Sequence, residues 1–215
     1  MSIVLLGSTS GSVTLQEPAV AGTTVLDLPA TSGNVVVDSA TQTLTNKSIA
    51  ATQLTGTIAA ARLPVGSVLQ VVSAAKTDTF STTSTSYTDI TGLSVTLTPT
   101  SSSSKFLIYF FLCAGNQNIF TAQLVRNSTA IVLGDADGSR TQATVGTMSN
   151  SDANMQTSNS FGHLDSPATA SAVTYKVQVR TESGATNYIN RSISDSNSSA
   201  GARTASSIIV MEIAG

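Results

Sequence analysis

His163 is the only histidine in the chain, and Asp165 follows two residues later. On a strand such a pair shares one face, so an imidazole would stand beside a carboxylate able to orient it, as a Ser-His-Asp arrangement requires. No nucleophile-elbow pattern accompanies them. The pair therefore reads as a strand or loop histidine bonded to its surroundings, although three copies on one axis could bring three imidazoles to a metal. Asp135 and Asp137, in Gly134-Asp135-Ala136-Asp137-Gly138, match part of a calcium loop. The further oxygen ligands and the distal Glu are missing, and a tight turn explains the segment. Glu182, Asp195 and Glu212 are scattered and define no glycosidase pair. The aromatic residues that sugar platforms favour are few: there is no Trp, and the four tyrosines are Tyr87, Tyr109, Tyr175 and Tyr188. Tyr109 reads as core. Cys113 is the single cysteine, so no disulfide forms within one chain, and a buried, inert thiol is expected. No catalytic residue, metal ligand or cofactor-binding residue is assigned.

The elements that would position these groups read as strands. From residue 65 onward, apolar and β-branched runs alternate with turn residues at intervals that suit a sandwich or jelly roll. Strands are expected at Ser67–Ser73, Thr77–Thr82, Tyr87–Ile90, Leu93–Pro99, Lys105–Cys113, Ile119–Val125 and Ala130–Leu133. Others are expected at Thr141–Thr147, Asn159–Leu164, Val173–Arg180, Asn187–Ile193 and Ser206–Ile213. Turns fall at Thr91-Gly92, Ser101–Ser104, Asp137-Gly138 and Ser183-Gly184. No segment has helical periodicity. Exposed polar loops are expected at Met148–Ser160 and Ser192–Arg203, where binding usually sits on a rigid scaffold.

Two strands are apolar on both sides. Phe106, Ile108, Phe110 and Leu112 face one way, and Leu107, Tyr109, Phe111 and Cys113 the other. In Ser206–Ile213, Ile209, Met211 and Ile213 oppose Ile208 and Val210. A two-sheet sandwich covers one face of each strand. The second face needs a neighbouring subunit or a covering loop.

Composition narrows the function. Charged residues are 10% of the 215-residue chain, with ten basic and twelve acidic residues and a net charge of −2. Ser and Thr, roughly three residues in ten, occupy the place that charge usually fills. No basic patch suggests nucleic-acid binding. The longest apolar run, Phe106–Cys113, is far short of the ~20 residues that span a bilayer. The opening MSIVLLGSTSGS lacks a basic n-region and does not read as a signal peptide, so synthesis in a cytoplasm is expected. Asn46, Asn127, Asn190 and Asn197 stand in Asn-x-Ser/Thr patterns, which arise easily by chance in so Ser/Thr-rich a chain.

Three regions emerge. Residues 1–38 form an N-terminal attachment region with short β-like runs at Ser12–Gln16, Thr23–Leu28 and Asn34–Val37. Ile3–Leu6 is a docking peg or a frayed end. Residues 39–64 carry Leu44, Ile49, Leu54, Ile58 and Leu63 at a spacing of four to five. That spacing fits neither a helix nor a strand. Several copies wound together could bury these side chains on a shared axis as a stalk; a flexible linker is the alternative. Fully extended, the stretch reaches no more than about 85 Å. Residues 65–215 form the C-terminal domain.

Gly11-Ser12-Val13-Thr14-Leu15-Gln16, then Pro18-Ala19-Val20-Ala21-Gly22-Thr23 and Leu28-Pro29-Ala30, resembles a module at the front of many marine phage and cyanophage fibre proteins. Gln42-Thr43-Leu44-Thr45-Asn46-Lys47-Ser48-Ile49 is similar to the TLTNKTI element of tail fibres, with Ser48 in place of the more usual Thr. Tyr87–Pro99 and the closing Ile208–Ile213 look like the C-terminal knob of such fibres. The resemblance implies a virion structural protein: an all-β homotrimer with a short N-terminal β region, an intertwined β stalk and a jelly-roll-like β-sandwich knob. Its implied partners are its own copies, phage tail or capsid proteins bound through the N-terminal region, and a host surface receptor or glycan, without nucleic acid or membrane insertion. A tail fibre is the leading expectation and a capsid decoration or head-fibre protein the alternative. A polysaccharide-degrading tailspike or a secreted lectin-like sandwich stands further off.

Overall fold

The computed structural model describes residues 2–6, 12–16, 58–116, 118–147 and 152–215, together with Ser10, Ser48, Thr52 and Gly56. The chain divides into two compact units, 1–55 and 56–215. In the first, β1 (Ser2–Leu6) pairs antiparallel with β2 (Ser12–Gln16), in a register that sets Ser2 against Gln16 and Leu6 against Ser12. The Ile3–Leu6 run is thus strand rather than frayed end. The runs Thr23–Leu28 and Asn34–Val37 lie outside the described residues, as do Leu44, Ile49 and Leu54. Of the other two stalk candidates, Ile58 is exposed and Leu63 half-buried, on either side of a 3-10 turn at Ala60–Arg62.

The second unit is all-β. Its strands are β3 (Val68–Lys76), β4 (Phe80–Thr82), β5 (Thr88–Leu97), β6 (Lys105–Asn116), β7 (Phe120–Arg126), β8 (Thr129–Ile131), β9 (Val145–Thr147), β10 (Thr157–Asp165), β11 (Val173–Thr181), β12 (Asn187–Ile189) and β13 (Ser206–Ile213). They form two antiparallel sheets. One holds β3-β13-β6-β12-β4, with β10 also on β6; the other holds β5-β11-β7-β8, with β9 also on β7.

Several of these strands are continuations of one another. Along β6, β12 covers Ala114–Asn116 and β13 covers Lys105–Phe111 from the same side. On the next line out, β4 pairs with β12 and β3 with β13. Along β7, β9 covers Phe120–Ala122 and β8 covers Leu124–Arg126. The sandwich therefore runs as four lines facing four. The first sheet reads β3/β4, β13/β12, β6, β10; the second reads β5, β11, β7, β8/β9.

The core follows from period-2 alternation. Phe106, Ile108, Phe110, Leu112 and Ala114 of β6, with Ile208 and Val210 of β13, are fully buried. They meet Ile90, Leu93, Val95 and Leu97 of β5, Phe120, Ala122 and Leu124 of β7, and Val173, Tyr175, Val177 and Val179 of β11.

The expected turn at Thr91-Gly92 is not a turn between strands. β5 runs through it, and its pairing with β11 jumps from Ser94↔Lys176 to Asp89↔Gln178. The extra residues form a bulge, with Gly92 at φ +84°. The bulge switches the inward-facing parity from Ile90 to Leu93. Elsewhere β10 begins at Thr157, inside the stretch expected as loop. Residues 141–144 and 190–193 leave the sheets where strand was expected.

The lines β3/β4 and β12/β13 break at the same level, and Asn190 fills the gap. It is fully buried, with φ +63°, a conformation Asn tolerates better than most residues. Its Nδ2 donates to Lys76 O at 2.8 Å and Asp78 O at 2.9 Å. Its Oδ1 accepts from Ser206 Oγ at 2.6 Å, and that hydroxyl accepts from Cys113 N at 3.1 Å. Its backbone N–H reaches Cys113 O at 2.9 Å, and its carbonyl accepts from Thr204 N at 3.1 Å. Burial also removes Asn190 from use as a glycosylation acceptor. Replacing Asn190 with Ala removes the amide donors to the Lys76 and Asp78 carbonyls and the acceptor of the Ser206 hydroxyl, which keeps only its bond from Cys113 N. At about 1–3 kcal/mol for an unsatisfied group, and incompletely additive, the expected loss is about 3 kcal/mol or more. Urea unfolding of the variant measures it; a loss near zero would show that the break is held by something else.

Candidate functional site

The His163–Asp165 candidate is resolved by what holds Asp165. Both residues lie on the same side of β10. Asp165 is buried, and both its oxygens accept from Arg126 Nη1 at 2.9 Å. Tyr175 donates its hydroxyl to Oδ2 at 2.7 Å. Burial, then the Asp165 hydrogen bond, pushes the Tyr175 hydroxyl pKa far up. Arg126 and Tyr175 belong to one sheet and Asp165 to the other, so the group clamps the sandwich shut.

The other acids are also engaged structurally. Asp137 pairs with Arg140, Glu182 with Arg180, and Asp195 with both Arg191 and Arg203. Among the described residues, no three His, Cys, Asp or Glu side chains gather as metal ligands would. Asp135 and Asp137 instead line a shallow polar pocket of about 410 Å³ beside β9, together with Arg140 and Gln142.

Glu212 is fully buried at the end of β13 with no ion pair among the described residues. Its Oε1 accepts from Thr100 N at 2.6 Å; its Oε2 accepts from Gln70 Nε2 at 2.5 Å and Thr100 Oγ1 at 3.0 Å. Burial pushes its pKa up. The Ser104, Gln70 and Thr100 donors pull it down by more, leaving it below the ordinary 4.5. The Ser104 hydroxyl contributes by proximity, without full hydrogen-bond geometry. The carboxylate ties β3, the 98–104 connection and β13 together.

Tyr109 and Cys113 depart from expectation. Neither is core. Both lie on the outer face of β6, Tyr109 39% exposed and Cys113 half-buried, with its sulfur 3.4 Å from Ser158 Oγ. The inward parity belongs to Phe106 and its alternates, so Tyr109 had to face out. Its ring lies across Gly162, where a Cβ would fall 2.6 Å from Tyr109 Cε1.

The two outer faces differ in kind. On the sheet of β5, β11 and β7, the outer side chains satisfy one another. Asp89 accepts from Lys176 at 2.8 Å and Gln178 at 2.6 Å, Gln123 donates to Gln178 at 2.7 Å, and Thr96 meets Thr174 at 2.7 Å. The Lys176 ammonium, more than any other neighbour, holds the Asp89 carboxyl below its ordinary pKa. On the other sheet the register sets Leu164, Leu107, Met211 and Val71 in one row. Gly162, Tyr109, Ile209 and Ser73 form the next, and Ser160, Phe111, Ser207 and Ala75 the third. None of these residues is charged. Phe111 and Leu164 are each 49% exposed and Val71 56%.

The connections at the Asn116 end of β6 are bonded to one another. Asn118 Nδ2 donates to Ser183 Oγ at 2.5 Å, Glu182 N to Ile119 O at 3.3 Å and Thr181 N to Ser84 O at 2.9 Å. The excursion 190–205 joins them through Ser194 N to Ala153 O and Gln156 Nε2 to Ala202 O, both 2.8 Å. A bridge between Arg191 and Arg203 closes its neck. Residues 192–203 frame a second pocket of about 230 Å³ around Asp195. At the opposite end, the chain enters the sandwich beside its last strand, with Gly66 N on Ala214 O and Ala214 N on Ser67 O, both 2.8 Å.

No family model matches the chain, and no curated protein matches it in sequence.

With its folded-state pKa lowered, Glu212 contributes stability that is fully present above pH 4.5 and lost as pH falls through the lower folded value. Glu212→Gln should cost about 2 kcal/mol at neutral pH and flatten the acid loss of stability below about pH 4.5. Urea unfolding across that range checks both; an unchanged acid limb would exonerate this carboxylate.

Proposed function

We propose that this chain is a non-enzymatic structural subunit of a phage virion: a homotrimeric tail fibre whose C-terminal knob stands on a short intertwined stalk and adsorbs to the host surface. The observation that carries the reading is the polarity of unit 56–215. The chain enters at one end, beside β13, and the interlocked connections with the 190–205 excursion lie at the other. A displayed knob needs that arrangement: attachment at one pole and a hydroxyl-rich set of loops at the far pole. The line order supports reading the knob as a jelly roll. Numbered along the chain, with continued strands counted once, the sheets run 1-8-3-6 and 2-7-4-5, the alternation two Greek keys produce. The segments that resemble fibre knobs, Tyr87–Pro99 and Ile208–Ile213, supply β5 and β13.

The second reading is a trimeric capsid decoration or head-fibre protein, favoured by the reach of residues 39–64, no more than about 85 Å even fully extended. Labelled antibody on intact particles separates the two: signal on the tail supports the fibre, signal over the capsid the decoration protein.

The full chain should be a trimer by light scattering, and a monomer at micromolar concentration would overturn the reading. Replacing Leu44, Ile49 and Leu54 with Ser should lower the trimer fraction while the main thermal transition of unit 56–215 stays within a few degrees, since about 1 kcal/mol moves such a transition by about 2–8 °C. A transition lowered in step with assembly would assign those residues to the sandwich core. Incubation with host polysaccharide should release no reducing ends.

A further inference from the structure

We propose that copies of this chain meet through the outer face of the sheet built by β3, β13, β6 and β10, with Tyr109 and Phe111 as its central anchors. The proposal rests on the self-assembling part of the fibre reading and adds the surface that does it.

Size comes first. Four lines of strand at about 4.8 Å and three rows of side chains at about 6.8 Å cover roughly 19 by 20 Å. That area lies within the range of the largest patch a monomer exposes. It is about half of the ~800 Å² a stable interface buries per partner, which suits the apolar centre of an interface completed by its rim.

Chemistry selects the partner. Charge appears only at the borders, with Lys105 at one end and Arg191 at the other, where the excursion backbone crosses so close that a Cβ at Gly115 would lie 2.5 Å from Arg191 O. The three central rows carry no charge to set against a complementary charge on a partner of different sequence. An uncharged face cannot repel a copy of itself, and apolar centres are characteristic of permanent homo-oligomers. Shape agrees. Phe111 is flanked by small residues, Ser160 on one side and Ser207 and Ala75 on the other, so its ring stands free on this face. A ring 49% exposed between small neighbours is placed to enter the face of another copy. The opposite outer face, polar and bonded within itself, has no such need of cover.

The test uses the full chain. Hydroxyl-radical footprinting of the wild-type oligomer, with each rate normalised to the residue type's intrinsic reactivity, should find Tyr109 and Phe111, 39% and 49% exposed in the single chain, far less reactive than Met155, which is 52% exposed on a connecting segment. Phe111→Glu should weaken association by at least roughly thirtyfold, the weight of a central aromatic anchor, with the β circular-dichroism spectrum unchanged. Ser94→Glu, on the opposite outer face, should leave association as it was. If Phe111→Glu fails to fold, the wild-type footprint decides alone. An oligomer whose Tyr109 and Phe111 react, on that normalised scale, about as fast as Met155 would overturn this surface and leave the fibre reading standing. A shielded face in a dimer would sustain the surface and remove the three-fold assembly. A wild-type monomer would remove both.

Discussion

Two neighbouring lines of one sheet stop at the same level, and a single buried asparagine holds the sheet together across the gap. Broken strands leave backbone groups that water cannot reach, and each is costly unless something answers it. Asn190 answers on both sides, offering donors to Lys76 and Asp78 and an acceptor to Ser206. Few side chains can do this while sitting at φ +63°: Gly lacks the amide, and Asp would present a buried charge without donors. With the gap closed, β12 and β13 act as one line along β6, and the inner apolar rows stay in register from end to end.

The other buried polar groups work between elements rather than within one. Arg126, Asp165 and Tyr175 join the two sheets near the Lys105 end, and Glu212 joins the first strand of the sandwich to its last. Such groups add little net stability over an apolar replacement of equal volume. Their value is selectivity: a sheet slipped by one residue would place Asp165 on the outer face and leave Arg126 without a counter-charge. The apolar rows alone would penalise that slip less, because β6 is apolar on both sides.

Much of this was readable in the sequence. Apolar runs bounded by turn residues located core strands at Phe106–Cys113, Val173–Arg180 and Ser206–Ile213, and the two-sided apolarity of the first and last marked a second face that needs a cover. What could not be read has physical causes. Thr91-Gly92 has turn chemistry, and only long-range pairing with β11 makes it a bulge. Tyr109 and Phe110 differ little in type, so the assignment of inside and outside waited on the parity of the whole strand. Asn190 falls inside Asn187–Ile193, which reads as one strand, and nothing local marks the break because its partners at Lys76 and Asp78 are remote in sequence. Glu212 carried no signal at all, since its donors come from strand β3 and a Ser/Thr run with no pattern of its own. Leu44, Ile49 and Leu54 fall outside the described residues.

The closed neck of the 190–205 excursion separates length from stability. Asn190, Thr204, Ser206 and the Arg191–Arg203 bridge finish the sheet before the excursion begins. Residues added between Asp195 and Ala202, beyond those that bond to Ala153, Gln156, Arg191 and Arg203, then cost chiefly the entropy of closing a loop, about 0.6 kcal/mol for each doubling of length. Residues there can be exchanged, lengthened or shortened while the sandwich keeps its register. In a lineage whose surroundings change, this segment is where the chain is free to drift, and Asn190 is the fixed point that grants the freedom.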